Sequence, residues 1–231
     1  MSGLTERVST RIVYAYGSQK EGSSRVLRER KLTVCCQGTR LGLLTCTDTE
    51  LERLVLGWLC TQRVINALDE VLSIEIRNDS ALVALSTPLR APAERRTLRR
   101  LTHTPQWCAK DVFTLARRFR EGMPLHGETG ATHSCFLMRA GAVLYACEDV
   151  GRFNAVDKAV GFALEQGIPL RECLLYTSGR VSEELVHKCV AAEVAVLISK
   201  AIPTAQAVKC AQTLGVTLLC RAWEDRYEQF A

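Results

Sequence analysis

The sequence predicts a mixed α/β protein, with a β-rich first portion followed by strands and helices in alternation. Two observations carry this. Up to about residue 90, apolar residues recur mainly every second position between turns of Gly, Asn and Asp. After about residue 135, short apolar runs alternate with longer amphipathic stretches, the spacing of βαβ crossovers.

Taken in order, VSTRIVYAY (8–16) alternates and reads as a strand, and the polar Gly17–Ser24 stretch reads as a separator. LTVCCQGTRLGLLTC reads as a hairpin around Gln37-Gly38. In TELERLVLGWLCTQRV, Leu51, Leu54, Val55, Trp58 and Leu59 recur at helical spacing behind a Thr47-Asp48 N-cap, giving one helix over the first sheet. VLSIEIRNDSALVALS is a second hairpin turning at Asn78-Asp79-Ser80. Pro88, Pro92 and a run of arginines then break the periodicity. The expected organisation is a β-rich domain over 1–90, an arginine-rich connection over 91–128 holding Cys108 and a helix at about 111–120, and an α/β domain over 129–231.

In that last part SCFLMR and AVLYAC flank Ala140-Gly141 as a hairpin. Helix NAVDKAVGFALEQG, strand CLLYTS, helix VSEELVHKCVAAE, strand VAVLIS, helix PTAQAVKCAQTLG and strand VTLLC follow, implying a mostly parallel sheet in three layers.

Composition narrows the class. With 47% hydrophobic and 24% charged residues, the 231-residue chain can bury one large or two small cores without external help. Eleven cysteines, an odd number without paired spacings, argue against a disulfide framework or zinc ribbon. Most lie among apolar neighbours as small buried hydrophobes; Cys108, in THTPQWCAKD, stands apart. No apolar run approaches a membrane span, and MSGLTERVST carries charge where a secretory signal needs apolar residues, so a cytoplasmic protein is expected. Paired subunits are the default assembly. The net charge of +5 is modest, but Arg90, Arg95, Arg96, Arg99 and Arg100 face only Glu94 nearby. Nucleic acid could be drawn to that field, although a solvated helix face is the commoner explanation.

In α/β sheets, ligands gather where strand ends meet helix N-termini. Here that edge collects Thr129-Gly130-Ala131-Thr132-His133, Glu148 to Asn154, Asp157-Lys158, Thr177 to Ser182 and Ile202-Pro203-Thr204. Gly179 permits close backbone approach and Arg180 can fork onto a phosphate. Glu148 and Asp149 beside Gly151 and Arg152 would place opposite charges in one turn, with Asn154 capping the next helix. Asp157 and Lys158 are charges on an otherwise apolar helix, where burial of an ion pair needs satisfaction. His133 is open to acid–base, ligand-supporting or structural roles. No second histidine keeps metal-ligand spacing, and a deaminase's H-x-E and P-C-x-x-C pair is missing, so neither a metal site nor zinc is expected.

Together these segments resemble the FdhD/NarQ family of formate dehydrogenase accessory sulfurtransferases, with motifs in the same order. EDVGRFNAVDKAVG (148–161) is similar to the family's EDVGRHNAVDKxxG, with Phe153 in place of histidine. TGATH (129–133) is similar to TGGxH, TSGRVSEELVHK (177–188) to SGRxSxEMVxK, and IPTAQAV (202–208) follows. ERKLTV (29–34) and the ELERLVLGWLCTQRVI helix resemble the family's N-terminal β-domain, so nearly the whole chain is covered.

The resemblance implies a cytidine-deaminase-like three-layer α/β/α domain without zinc, preceded by a smaller β-rich domain. It implies passage of sulfur from a cysteine desulfurase to a molybdenum cofactor bearing two guanine dinucleotides, with formate dehydrogenase as client. A GDP-like moiety would meet Thr129, Gly130, His133, Glu148, Asp149, Gly151, Arg152, Asn154, Asp157, Lys158, Ser178, Gly179, Arg180, Ser182, Pro203 and Thr204. Arg221, Trp223 and Arg226 occupy the place of the family's C-terminal cofactor loop. One departure stands out. Where the family has C-G-x-C-G, this chain has Pro105 at the first cysteine and Cys108 at the second. Arg99, Arg100, His103 and Lys110 surround Cys108 in the chain, a setting that favours a nucleophilic thiolate and makes it the candidate persulfide carrier. The rival reading is a cofactor carrier that has lost persulfide chemistry with the missing cysteine.

Overall fold

The structure is a computed structural model that describes residues 3–91 and 98–231. Pro92, Glu94, Arg95 and Arg96 lie outside the described residues, so the arginine run is visible only at Arg90, Arg99 and Arg100.

Strands β1 (Thr5–Val13) and β2 (Gln19–Leu27) form an antiparallel ribbon. The expected polar separator is thus a turn and most of a strand: Ser23 and Ser24 pair with Ser9 and Val8. Exposed over most of its length, the ribbon is held by backbone pairing, so apolar alternation is not needed to form it. Strands β3 (Arg30–Cys36), β4 (Thr39–Cys46), β5 (Val71–Arg77) and β6 (Ser80–Leu85) make a four-stranded sheet in the order β4-β3-β6-β5. Both expected hairpins are present, with left-handed backbone at Gln37-Gly38 and at Asn78 as tight turns require.

Helix α1 (Leu51–Thr61) begins after Glu50, itself left-handed at φ 52°, and not behind a Thr47-Asp48 cap. Nor does α1 cover the first sheet alone. It crosses α4 (Arg152–Glu165) with backbone against backbone: a Cβ on Gly57 would lie 1.8 Å from the carbonyl oxygen of Asp157, and one on Gly161 would lie 2.0 Å from that of Arg53.

The second sheet has six strands, β7 (His133–Arg139), β8 (Ala142–Asp149), β9 (Cys173–Thr177), β10 (Val196–Ser199), β11 (Thr217–Cys220) and β12 (Glu228–Gln229), ordered β12-β11-β10-β9-β7-β8. Only β9, β10 and β11 are parallel. The sheet is mixed because the β7–β8 hairpin joins β9 antiparallel and β12 folds back on β11. Side chains alternate across it: Leu137, Leu175, Leu197 and Leu218 join the core under α4, α5 (Glu183–Ala191) and α6 (Ala205–Leu214), whereas Phe136, Tyr176, Ile198 and Leu219 face α2 (Ala109–Arg120). This makes three layers, and the first core continues unbroken into Leu32, Val34, Leu54 and Leu59. The Gly-rich segment before β7 contains a short helix, α3 (Pro124–Thr129), started by Pro124 and closed by left-handed Gly130. No helix among the described residues is long and apolar enough to cross a membrane.

The glycine crossing yields a prediction. Gly57→Ala and Gly161→Ala should each lower stability by about 3 kcal/mol or more in urea unfolding, because the helices must separate to admit a methyl group. Gly127→Ala, with nothing within 4 Å of an added Cβ, should leave the midpoint nearly unchanged.

Candidate functional site

Much of the EDVGRFNAVDK segment turns inward. The Asp149 carboxylate, fully buried, takes the Lys158 ammonium at 2.8 Å, the Thr47 amide at 3.1 Å, and the Gly151 amide and Asn154 Nδ2 at 2.9 Å each. Lys158 Nζ also donates to Thr49 Oγ1 and the Glu148 carbonyl, and Asn154 Nδ2 also donates to the Thr45 carbonyl. Thr47 returns a bond, its Oγ1 accepting from the Val150 amide. The Glu148 carboxylate accepts the Leu125 and His126 amides at the start of α3 and the Thr132 hydroxyl. Asp157 does not pair with Lys158. It holds Lys188 at 2.8 Å and Thr61 at 2.7 Å, tying α1, α4 and α5 together.

Five expected ligand-binding residues, Glu148, Asp149, Asn154, Asp157 and Lys158, therefore have their polar ends committed to the interior. Burial makes this arrangement necessary: charges without water must be paired and hydrogen-bonded. Asn154 is also not the cap of α4, which starts at Arg152 behind Gly151.

What remains outward forms a continuous edge at the carboxyl ends of β9, β10 and β11. The Ser178 hydroxyl accepts the Ser134 amide at 2.9 Å and lies 3.3 Å from His133 Nδ1, while the Ser178 amide donates to the Ser134 carbonyl. Gly179 is pressed against Arg152, whose Cβ would be 2.8 Å from any Cβ added there. The Arg152 guanidinium sits 4.5 Å from the Phe153 ring centre, and its Nε is shielded from solvent without a hydrogen-bond partner. Arg180 is exposed beside it. Burial, then Arg152, His126 and Arg180, lower the pKa of His133 below its usual value. The edge is thus receptive to an anion.

The loop from Ser178 does not open α5 directly. Val181 bridges Pro203, the Thr204 amide donates to the Val181 carbonyl, Ser182 precedes α5, and Thr204 caps α6 by accepting the Ala207 amide. Thr129 and Gly130 sit at the end of a helix, where Thr129 Oγ1 donates to the Leu125 carbonyl. The C-terminal residues join the same edge. The Ser199 hydroxyl donates to the Gly179 carbonyl, the Ala222 amide donates to the Ser199 carbonyl, and Lys200 Nζ lies 5.3 Å from both the Phe119 and Trp223 ring centres. Trp223 and Arg226, with Phe119 and Arg120, line a cleft of about 580 Å³. Within it Arg226 pairs with Asp225 at 2.9 Å and Arg120 with Glu224 at 2.7 Å. Arg221 pairs with Glu228 at 3.2 Å. Lys200 is the functional candidate the motifs missed; its signal was a cation immediately after a buried strand.

Cys108 is the one exposed cysteine of the eleven. It precedes α2, with its amide bonded to Asp111, and Asp111 lies against the Ala140-Gly141 turn. The far end of α2 carries Phe119, packed on Tyr176 and Lys200. Cys108 therefore stands at the Ala140-Gly141 end of β7, the opposite end from His133 and Ser178, while the neighbouring Trp107 packs on Tyr227 with ring centres 6.4 Å apart. Arg100, expected beside it, donates instead to the Gln212 and Thr213 carbonyls.

Fold and edge define a mixed α/β protein with a cation-lined rim over an ionically braced interior. The chain belongs to the FdhD/NarQ family, whose profile matches residues 27–231. It is 27% identical over 222 residues to the sulfur carrier protein FdhD of Halalkalibacterium halodurans, covering 83% of this chain and 81% of that one. Identity is 28% to the Staphylococcus haemolyticus protein of the same name, over 90% and 88% of the two chains, and 31% to that of Sulfurisphaera tokodaii, over 73% of each. The fold is that of a Desulfotalea psychrophila protein provisionally designated a formate dehydrogenase accessory protein. The TM-score is 0.84 at 23% identity, over 98% of this chain and 96% of that one.

Removing one partner of the buried pair should be costly. Asp149→Ala is expected to destabilise by about 3–5 kcal/mol in chemical denaturation, because Lys158 is left charged without its counter-ion. A second prediction concerns acid. The lowered His133 takes its proton more readily in the unfolded chain, so stability should fall as pH drops through the usual histidine range near 6.5. Urea midpoints at pH about 7.5 and about 5.5 should differ less in His133→Gln than in the parent.

Proposed function

We propose that this chain is a sulfur carrier for formate dehydrogenase maturation. Its rim receives the guanine dinucleotide portion of a molybdenum cofactor, the sulfur acceptor, and a cysteine desulfurase is the donor. The reading is supported by the names of its relatives and, above all, by the seating of Arg152 against Gly179 with its Nε unpartnered, beside Arg180 and His133. The first glycine after β9 lets the two loops touch, and the cations converge where a phosphate would meet them. Trp223, Lys200 and Arg226 would extend the contact toward a base or second phosphate. The cytidine-deaminase-like arrangement implied by the motifs is compatible with the three-layer sheet, and a paired-subunit assembly in the cytoplasm belongs to the same proposal.

In this scheme Cys108 thiolate attacks the terminal sulfur of a desulfurase persulfide, forming one S–S bond as the donor's breaks, and the donor thiolate leaves. The position of Cys108 favours a second reading, a carrier that keeps the cofactor rim without persulfide chemistry, because the thiol sits by the Ala140-Gly141 turn, at the other end of β7 from His133 and Ser178.

Calorimetric titration with GDP tests the rim. Arg152→Ala and Arg180→Ala should each weaken binding by about tenfold or more, and equal affinity in both would overturn the site. Incubation with a desulfurase and cysteine separates the two readings: persulfide labelling that disappears in Cys108→Ala supports the first, whereas no labelling alongside intact GDP binding supports the second.

A further inference from the structure

Among the described residues outside that rim, one group of side chains has the chemistry of a metal site. Glu183 and His187 lie one turn apart on α5, four residues being the spacing that puts both on the same face. Cys210 on α6 meets them, and one ligand atom from each residue lies within 4.8 Å of the other two. His187 Nε2 is 3.9 Å from Glu183 Oε1. Linear spacing could not reveal the set, because the thiol arrives from a different helix.

We infer that Glu183, His187 and Cys210 form a zinc site that clasps α5 to α6. Carboxylate, imidazole and thiolate together suit a borderline-soft dication better than magnesium or calcium, which prefer all-oxygen shells. Three protein ligands leave a fourth tetrahedral position, and the groups open onto a cavity of about 380 Å³ that can supply water or a small ligand there. Gln206 and Thr213, on the same face of α6 as Cys210 and lining that cavity, are further neutral oxygen donors within it. On binding, the Cys210 Sγ–H bond breaks, the proton passes to solvent and sulfur's electron pair goes to the metal; no oxidation state changes.

The test uses the full chain in a Cys108→Ser background, which removes the exposed thiol as a competing ligand. Titration of the metal-free protein with Zn²⁺ should saturate at one equivalent, and Co²⁺ should give a near-ultraviolet thiolate-to-cobalt charge-transfer band. Cys210→Ser should abolish the band. His187→Ala, at a half-exposed position that does not endanger folding, should weaken Zn²⁺ binding by at least about tenfold. A band absent from the parent, or persisting unchanged in Cys210→Ser, overturns the inference, as does unaltered affinity in His187→Ala. GDP titrations of the same variants should match the parent, which keeps this result separate from the fate of the cofactor rim.

Discussion

The Asp149 carboxylate holds together pieces of chain that are otherwise unrelated. Its acceptor positions are filled by a lysine and an asparagine from α4, an amide from the segment before α1, and the Gly151 amide from the turn beyond β8. Because the site is dry, the attraction between Lys158 and Asp149 is little screened, and every remaining lone pair finds a proton. Such a network adds less to net stability than its bonds suggest, since both ions were well solvated in the unfolded chain. It excludes alternatives: any other placement of the first sheet leaves a charge stranded.

Asp157 with Lys188 and Thr61 repeats the device one residue along α4. Consecutive residues of a helix point about 100° apart, so Lys158 reaches toward β8 while Asp157 reaches toward α1 and α5. Two adjacent charges thereby fasten α4 to different neighbours. The glycine contact at Gly57 and Gly161 brings α1 close enough for Thr61 to take part.

Local signals made a large share of the fold readable. The hairpins at Gln37-Gly38 and Asn78, the alternation in β7 to β11, and the amphipathic stretches of α4 to α6 follow from turn chemistry and periodicity. Strand β2 was not readable, because a ribbon exposed on both faces imposes no apolar pattern; nor was α3, a single short helix whose start depends on Glu148 accepting its amides. At the site, His133, Arg152 and Ser178 to Arg180 do meet. The charged motif residues gave a misleading signal, since a buried salt bridge and a ligand contact use the same side chains. Asp149, Asn154 and Lys158 find partners about a hundred residues away, at Thr47, Thr45 and Thr49, and no spacing rule reports them. The remoteness of Cys108 was hidden for a related reason: proximity in the chain to arginines says nothing about where a helix carries them.

The direction of the β7–β8 hairpin has its own consequence. Set antiparallel to β9, strand β7 contributes its beginning, and not its end, to the rim, so that His133 stands next to Ser178 while β8 runs back to deliver Arg152 at the same height. A purely parallel layout would have collected only strand exits there. Two residues of tight turn, at the far end of the hairpin, thereby bring the start of β7 and the turn after β8 to the same edge as the exits of β9, β10 and β11, gathering stretches of backbone that lie far apart in the chain.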